Sequence, residues 1–268
     1  MADASEVDDR QEQQKKGSVP VPGAILPHLG ECALLFDIDG TLIDLAPTPD
    51  GIHVPPELPG QLQELWRLTS GALALVSGRM IDDIDQIMKP IKLPAVGGHG
   101  VQMRPLADAE IKSAIVKPMN PNLKKRFTAL ANLSPGILIE DKGYSIAVHY
   151  RLAPQAERQI FNAVTAVQAD LPDAPLEVLN GKFVVEIKQE GFSKATAVRE
   201  LMQLPPFAGR QPIFLGDDVT DESVFGIMPD IDGLAYSVGR VAQGVAGHFD
   251  SPHDVRAWIA QMIRVSPR

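Results

Sequence analysis

LLFDIDGTLIDL, residues 34–45, ends an apolar run in two aspartates set one residue apart. Leu34, Leu35 and Phe36 have the composition of a strand buried on both faces. Side chains alternate along a strand with period two, so Asp37 and Asp39 share a side if the strand continues through them. Two close carboxylates repel each other unless a cation or a shared proton compensates. A chain that delivers such a pair to the end of a buried strand must supply the compensation elsewhere.

Outward from this stretch, strand-like runs alternate with amphipathic helical patterns. ALLFDI (33–38) precedes ELPGQLQELWRLT, and ALALVS (72–77) precedes MIDDIDQIM, whose Ile81, Ile84, Ile87 and Met88 form one apolar stripe. PIFLGDD (212–218), GLAYSV (233–238) and DVRAWIAQMIRV repeat the alternation near the C-terminus. This order predicts a parallel sheet covered by helices on both faces. The middle of the chain differs. GILIEDKGYSIAVHYRL and LEVLNGKFVVEIKQ each carry two β runs, the second around Asn180-Gly181, a strong hairpin signal. PNLKKRFTALANL and PQAERQIFNAVTAVQADL have helical spacing. The expected architecture is therefore α/β: a Rossmann-like parallel core at 26–105 and 190–268, interrupted by a cap at 106–189 with an antiparallel sheet and two helices. Residues 1–25 contain few large apolar side chains and are expected to be a disordered tail.

Bulk composition narrows the function classes. The 268 residues carry a net charge of −9, which argues against non-specific nucleic-acid binding. One cysteine, Cys32, excludes an intrachain disulfide and reads as a small core residue. No apolar run reaches the ~18 residues of a membrane span, and no signal-peptide pattern opens the chain, so a cytoplasmic protein is expected.

Ligands of an open parallel sheet sit at the carboxyl ends of its strands. Those ends carry Asp37, Asp39 and Thr41; Ser77, Gly78 and Arg79; and Gly216, Asp217, Asp218 and Asp221. GFSKATAV places Lys194 just inside a helix start with Ser193 as its cap. Asp37 and Asp217, brought together, make an oxygen-rich site for a hard cation such as Mg²⁺. Asp37 is then placed to attack phosphorus and Asp39 to serve as general acid and base. Ser77 and Lys194 are suited to hold phosphoryl oxygens. Each residue also has a plainer reading: Ser77 as a helix cap, Lys194 as a surface lysine, Arg79 as half of a structural salt bridge, Asp221 as helix N-terminal charge. Trp66 and Trp258 fall on amphipathic helices as core residues, and His53, His248 and His253 read as surface residues.

DIDGTL, LVSGR, the lysine before a helix and GDDVTDE, in that order, resemble the four motifs of haloacid-dehalogenase-superfamily phosphatases. The resemblance implies Asp37 as nucleophile, Asp39 as acid/base, and Mg²⁺ bound by Asp37, the Asp39 carbonyl and Asp217, with Asp218 or Asp221 in support. GGHG (97–100), IEDKGYSIAVHYR, LNGKFVVEIK and GFSKATAV further resemble the trehalose-6-phosphate phosphatases. That likeness implies a sugar phosphate as the small-molecule partner, with His99, Glu140, Lys142, His149, Arg151, Lys182 and Glu186 facing the sugar. Where that family commonly has an acidic or amide residue, Asn-Lys-Gly and Arg-Pro, this chain has Gly98, Ser193-Lys194-Ala195 and Lys188-Gln189. Other sugar phosphates, such as those of sucrose or mannosyl-glycerate, fit the same chemistry. A non-catalytic sensor is disfavoured by the retained second carboxylate, Asp39.

Overall fold

The computed structural model describes residues 19–20, 27–46, 51–114, 118–171 and 174–266. Most of the predicted tail, residues 1–18 and 21–25, lies outside the described residues. Val19–Pro20 (β1) instead pairs in parallel with Gly247–His248.

A nine-stranded sheet forms the body. Its order is β1, β13 (Gly247–Phe249), β12 (Leu234–Val238), β11 (Gln211–Gly216), β2 (Cys32–Phe36), β3 (Leu73–Val76), β4 (Ala95–Gly97), β5 (Gln102–Arg104) and β6 (Lys112–Ser113). The pairs from β13 to β4 are parallel, and β5 and β6 add antiparallel edges. The sheet thus runs on to Ser113, beyond the junction expected near Arg104–Pro105.

Every residue of β2 is buried. Leu34 and Phe36 enter one apolar cluster with α1 (Leu58–Leu68), α2 (Ile81–Ile87) and α7 (Pro252–Val265); Ala33 and Leu35 enter the other with α5 (Lys194–Leu201) and α6 (Val219–Ile227). That division is the period-two alternation of a strand covered on both sides. Cys32 and Trp258 are core residues, as expected. Among the described residues no helix is long and apolar enough to cross a membrane.

A second, antiparallel sheet has the order β7 (Leu138–Asp141), β8 (Ser145–His149), β10 (Val184–Gln189), β9 (Leu176–Gly181). Val185 and Ile187 of β10 pack with α3 (Pro121–Thr128) and α4 (Glu157–Asp170) in a separate core. Glu186, between them, faces the opposite way. Cross-strand pairing sets Glu140, Ala147, Glu186 and Leu179 in one row over the large sheet.

The β9–β10 turn differs from its prediction. Asn180 and Gly181 remain in the strand, paired with Val185 and Val184, and Lys182-Phe183 make the turn. Gly181 is required for a different reason. A Cβ there would stand 2.7 Å from Asp218 Oδ2, so the glycine lets the cap hairpin approach the core.

Candidate active site

The switch point of the parallel sheet lies at β2, with β11 on one side and β3 on the other. Beyond Phe36 the Asp37 amide still donates to the Leu215 carbonyl, 2.9 Å away. The chain then coils: the amides of Thr41, Leu42 and Ile43 all donate to the Ile38 carbonyl, and Gly40 has φ of 84°. Asp37 and Asp39 therefore do not share a strand face. They part.

Asp37 points at α5. Ser193 caps this helix by accepting from the Thr196 amide at 3.1 Å, which leaves Lys194 as its first residue. The Lys194 ammonium, 4 % exposed, donates to Asp37 Oδ1 at 2.8 Å and Asp221 Oδ1 at 2.7 Å. Asp221 Oδ2 accepts from the Asp217 and Asp218 amides at 3.0 and 3.2 Å, pinning the loop after β11. Two glycines make room. A Cβ on Gly216 would meet the Asp221 carboxylate at 2.5 Å, and one on Gly40 would meet Asp217 Oδ2 at 2.0 Å.

Asp37, Asp217 and Asp221 each offer an oxygen within 4.8 Å of the others. Burial pushes the Asp37 carboxyl above the ordinary carboxylate range; Lys194 opposes the rise and Asp221 adds to it. Burial, Asp37 and Asp221 likewise push Asp217 above that range. Burial alone would lower the Lys194 ammonium, yet Asp221 and Asp37 hold it above the ordinary lysine range. One ammonium cannot compensate three ionised carboxylates, so without a further cation the cluster favours taking up protons, and the donors are all hard oxygens. The cluster fits a divalent cation such as Mg²⁺.

Asp39 is placed elsewhere. Its carboxylate accepts two bonds from Arg79, at 2.6 and 2.7 Å, and so stays outside the acidic cluster. Ser77 Oγ accepts from the Arg79 amide at 3.1 Å, and Gly78 leaves space for His99, whose Nε2 a Cβ would meet at 2.4 Å. Thr41, one of the strand-end residues expected near the ligand, is fully buried, its hydroxyl has no partner, and it does not line the cavity. Asp221 is also withdrawn from the wall.

One cavity of about 210 Å³ lies between the two sheets. Asp37, Asp39, Ser77, Gly78, Arg79, His99, Lys194, Asp217 and Asp218 line it from the large sheet. Glu140, Lys142, His149, Arg151, Lys182 and Glu186 line it from the small one. Glu186 ties the halves together: its carboxylate accepts from Ser145 Oγ at 2.7 Å, lies 2.8 Å from His99 Nε2 and 3.3 Å from Lys142 Nζ. Lys142 also donates to the Gly78 carbonyl at 3.1 Å. Burial would raise the Glu186 carboxyl, but His99 and Lys142 hold it well below the ordinary range. Glu140 pairs with His149 at 3.0 Å, and this bond lowers its carboxyl too. Arg151 donates to the Lys182 carbonyl at 3.2 Å.

Sequence reading missed Ser145, Phe183 and Arg240. Arg240 donates to the Asp217 and Asp218 carbonyls at 2.6 and 2.9 Å and to Glu222 at 2.7 Å. Its signal was present: Gly239-Arg240 closely follows β12 much as Gly78-Arg79 closely follows β3. No such pattern marks Ser145.

A doubly covered parallel core with an antiparallel cap is a fold shared with solved phosphatases of the haloacid dehalogenase superfamily. A solved phosphatase of that superfamily from Bacteroides thetaiotaomicron superposes with a TM-score of 0.57 at 14% identity, covering 91% of this chain and 100% of that one. Residues 35–249 match the family described as Trehalose-phosphatase, and the chain belongs to that family. It is 39% identical over 242 residues to a probable trehalose-phosphate phosphatase of Sinorhizobium fredii, covering 89% of this chain and 90% of the relative. It is 37% identical over 231 residues to the trehalose-6-phosphate phosphatase of Escherichia coli, covering 85% of each. The C-terminal domain of the C. albicans trehalose-6-phosphate phosphatase shares the fold, with a TM-score of 0.81 at 19% identity over 94% of this chain and 100% of that one.

Proposed function

We propose that this protein hydrolyses trehalose 6-phosphate to trehalose and phosphate through an aspartyl-phosphate. The observation that carries the reading is one cavity walled by the Asp37–Lys194–Asp217 cluster on one side and by the charged row around Glu186 on the other. The first wall suits a phosphoryl group, the second a leaving group rich in hydroxyls.

Asp37 attacks phosphorus, and the bond from phosphorus to the sugar oxygen breaks. Asp39 gives its proton to that oxygen, then takes a proton from the water that attacks the acyl-phosphate and frees Asp37. Lys194 and Ser77 stand where phosphoryl oxygens need positive charge and hydrogen-bond donors. Asp37 and Asp217 would hold Mg²⁺, with Asp221 fixing the loop that carries Asp217. The ion, when bound, neutralises charge on the phosphoryl oxygens. The cap built on β7–β10 excludes bulk water over the reacting atoms. The crossing near Gln189–Gly191 serves as one of its hinges.

The test is phosphate release by the pure protein from a panel of sugar phosphates, with Mg²⁺ and with chelator. The expected result is Mg²⁺-dependent release that is fastest from trehalose 6-phosphate. Equal rates across the panel would refute the sugar assignment, and unaltered release in chelator would refute the metal.

A further inference from the structure

The tip of the β9–β10 hairpin breaks a local rule. Phe183 occupies the turn with φ of 64°, in the left-handed region that favours glycine or asparagine and disfavours a bulky side chain. The hairpin has a glycine two residues earlier, but Gly181 is committed to the approach toward Asp218. A strained position held by a large residue calls for a compensating use.

The ring does not enter the cap core. Phe183 is 37% exposed and lines the cavity between the sheets. Its surroundings hold it in place. The Tyr150 ring meets it edge-on at 6.0 Å, and the Arg151 guanidinium lies 5.2 Å from its centroid. The Phe183 carbonyl accepts from the Tyr150 amide at 2.9 Å, and the preceding Lys182 carbonyl accepts from Arg151. Ring and backbone are anchored together, with the guanidinium over one face of the ring, and the residue lines the cavity.

A pyranose presents hydroxyls around its edge and C–H groups on its faces. The charged residues of the cap serve the hydroxyls but offer little to the C–H surface. A rigid aromatic face does, because it buries apolar area at small conformational cost. We infer that Phe183 is a specificity-determining residue: its ring is the platform for a C–H face of the leaving sugar. This rests on the sugar-phosphate reading above.

The test uses the full chain with Phe183→Gly and Phe183→Tyr. Glycine removes the ring and suits the left-handed turn, so the melting temperature should stay at or above that of wild type. KM for trehalose 6-phosphate should rise about tenfold in Phe183→Gly and stay near wild type in Phe183→Tyr. Inhibition by inorganic phosphate, which probes only the phosphoryl end, should stay within about twofold of wild type. An unchanged KM in the glycine variant, or phosphate inhibition weakened in parallel, overturns the inference. A fall in melting temperature with glycine would assign the ring to the fold and overturn it too. Wild-type protein that releases no phosphate from trehalose 6-phosphate would refute the functional reading itself and this inference with it.

Discussion

Arg79 closes on Asp39 through two parallel bonds, Nε to Oδ2 at 2.6 Å and Nη2 to Oδ1 at 2.7 Å. The fork fixes where the carboxylate points, which a lysine cannot reproduce with a single ammonium. It also engages both oxygens of the residue assigned to protonate the leaving group. Substrate must loosen this grip, or share it, before a proton moves.

Arg79→Lys should therefore lower kcat by about one to two orders of magnitude, within the range assigned to general acid–base catalysis. The deficit should shrink for p-nitrophenyl phosphate, whose leaving group needs little protonation. Steady-state rates on the two esters check this. An equal deficit on both would place Arg79 outside the leaving-group step.

The acidic cluster predicts a metal-linked stability. Because Asp37 and Asp217 are buried with opposing neighbours, a bound cation offsets repulsion that the folded chain otherwise carries. Mg²⁺ at one hundred times its Kd should stabilise the protein by about 2.7 kcal/mol, several degrees of melting temperature for a chain of this size. Asp217→Asn should remove the shift while raising the melting temperature of the metal-free protein. Thermal scans with and without Mg²⁺ measure both effects. A shift that survives Asp217→Asn would put the ion elsewhere.

Much of this was legible in the sequence because the phosphoryl end is local in character. Strand, turn and helix start are each written in a few residues, and burial of Ala33 to Phe36 on both faces follows from their apolar run. What was lost depended on contacts across the fold. Asp39 was expected to share a face with Asp37 if the strand continued; it does not, and the coil closed by Ile38 and Gly40 turns Asp39 to Arg79, forty residues away. Gly181 looked like a turn residue, yet its role is set by Asp218, which no local pattern encodes. Short edge strands such as Gln102–Arg104 are specified by pairing with Ala95–Gly97 and not by their own apolar pattern.

Glu186 predicts a pH dependence. Its carboxyl is held below the unfolded glutamate value of about 4.3, so the unfolded chain binds the proton more readily. The resulting stabilisation is complete above that unfolded value and is lost as the pH falls through the folded one. Glu186→Gln should cost about 3 kcal/mol near neutral pH, because it leaves Lys142 and His99 facing a neutral amide. Chemical denaturation at pH 7 and at pH 3.5 should show the gap between wild type and variant narrowing at the lower pH. A constant gap would mean that Glu186 acts through packing and not through charge.

Arg240 yields the last prediction. Its guanidinium satisfies the carbonyls of Asp217 and Asp218 and also binds Glu222, so one side chain sets the path of the backbone that presents Asp217. Asp221 holds the same loop from its amide side. Asp221 also holds Lys194, so only removal of Arg240 frees the loop without disturbing the reacting groups. Arg240→Ala should therefore raise the Mg²⁺ concentration for half-maximal activity about tenfold, while rates at saturating Mg²⁺ recover to within several-fold of wild type. Arg240→Lys should fall between the two, since an ammonium cannot span both carbonyls and Glu222 with the geometry of the fork. A Mg²⁺ titration of phosphate release, read beside the melting temperature, separates this from general destabilisation: an unmoved Mg²⁺ requirement with a lowered melting temperature would reduce Arg240 to a structural clamp.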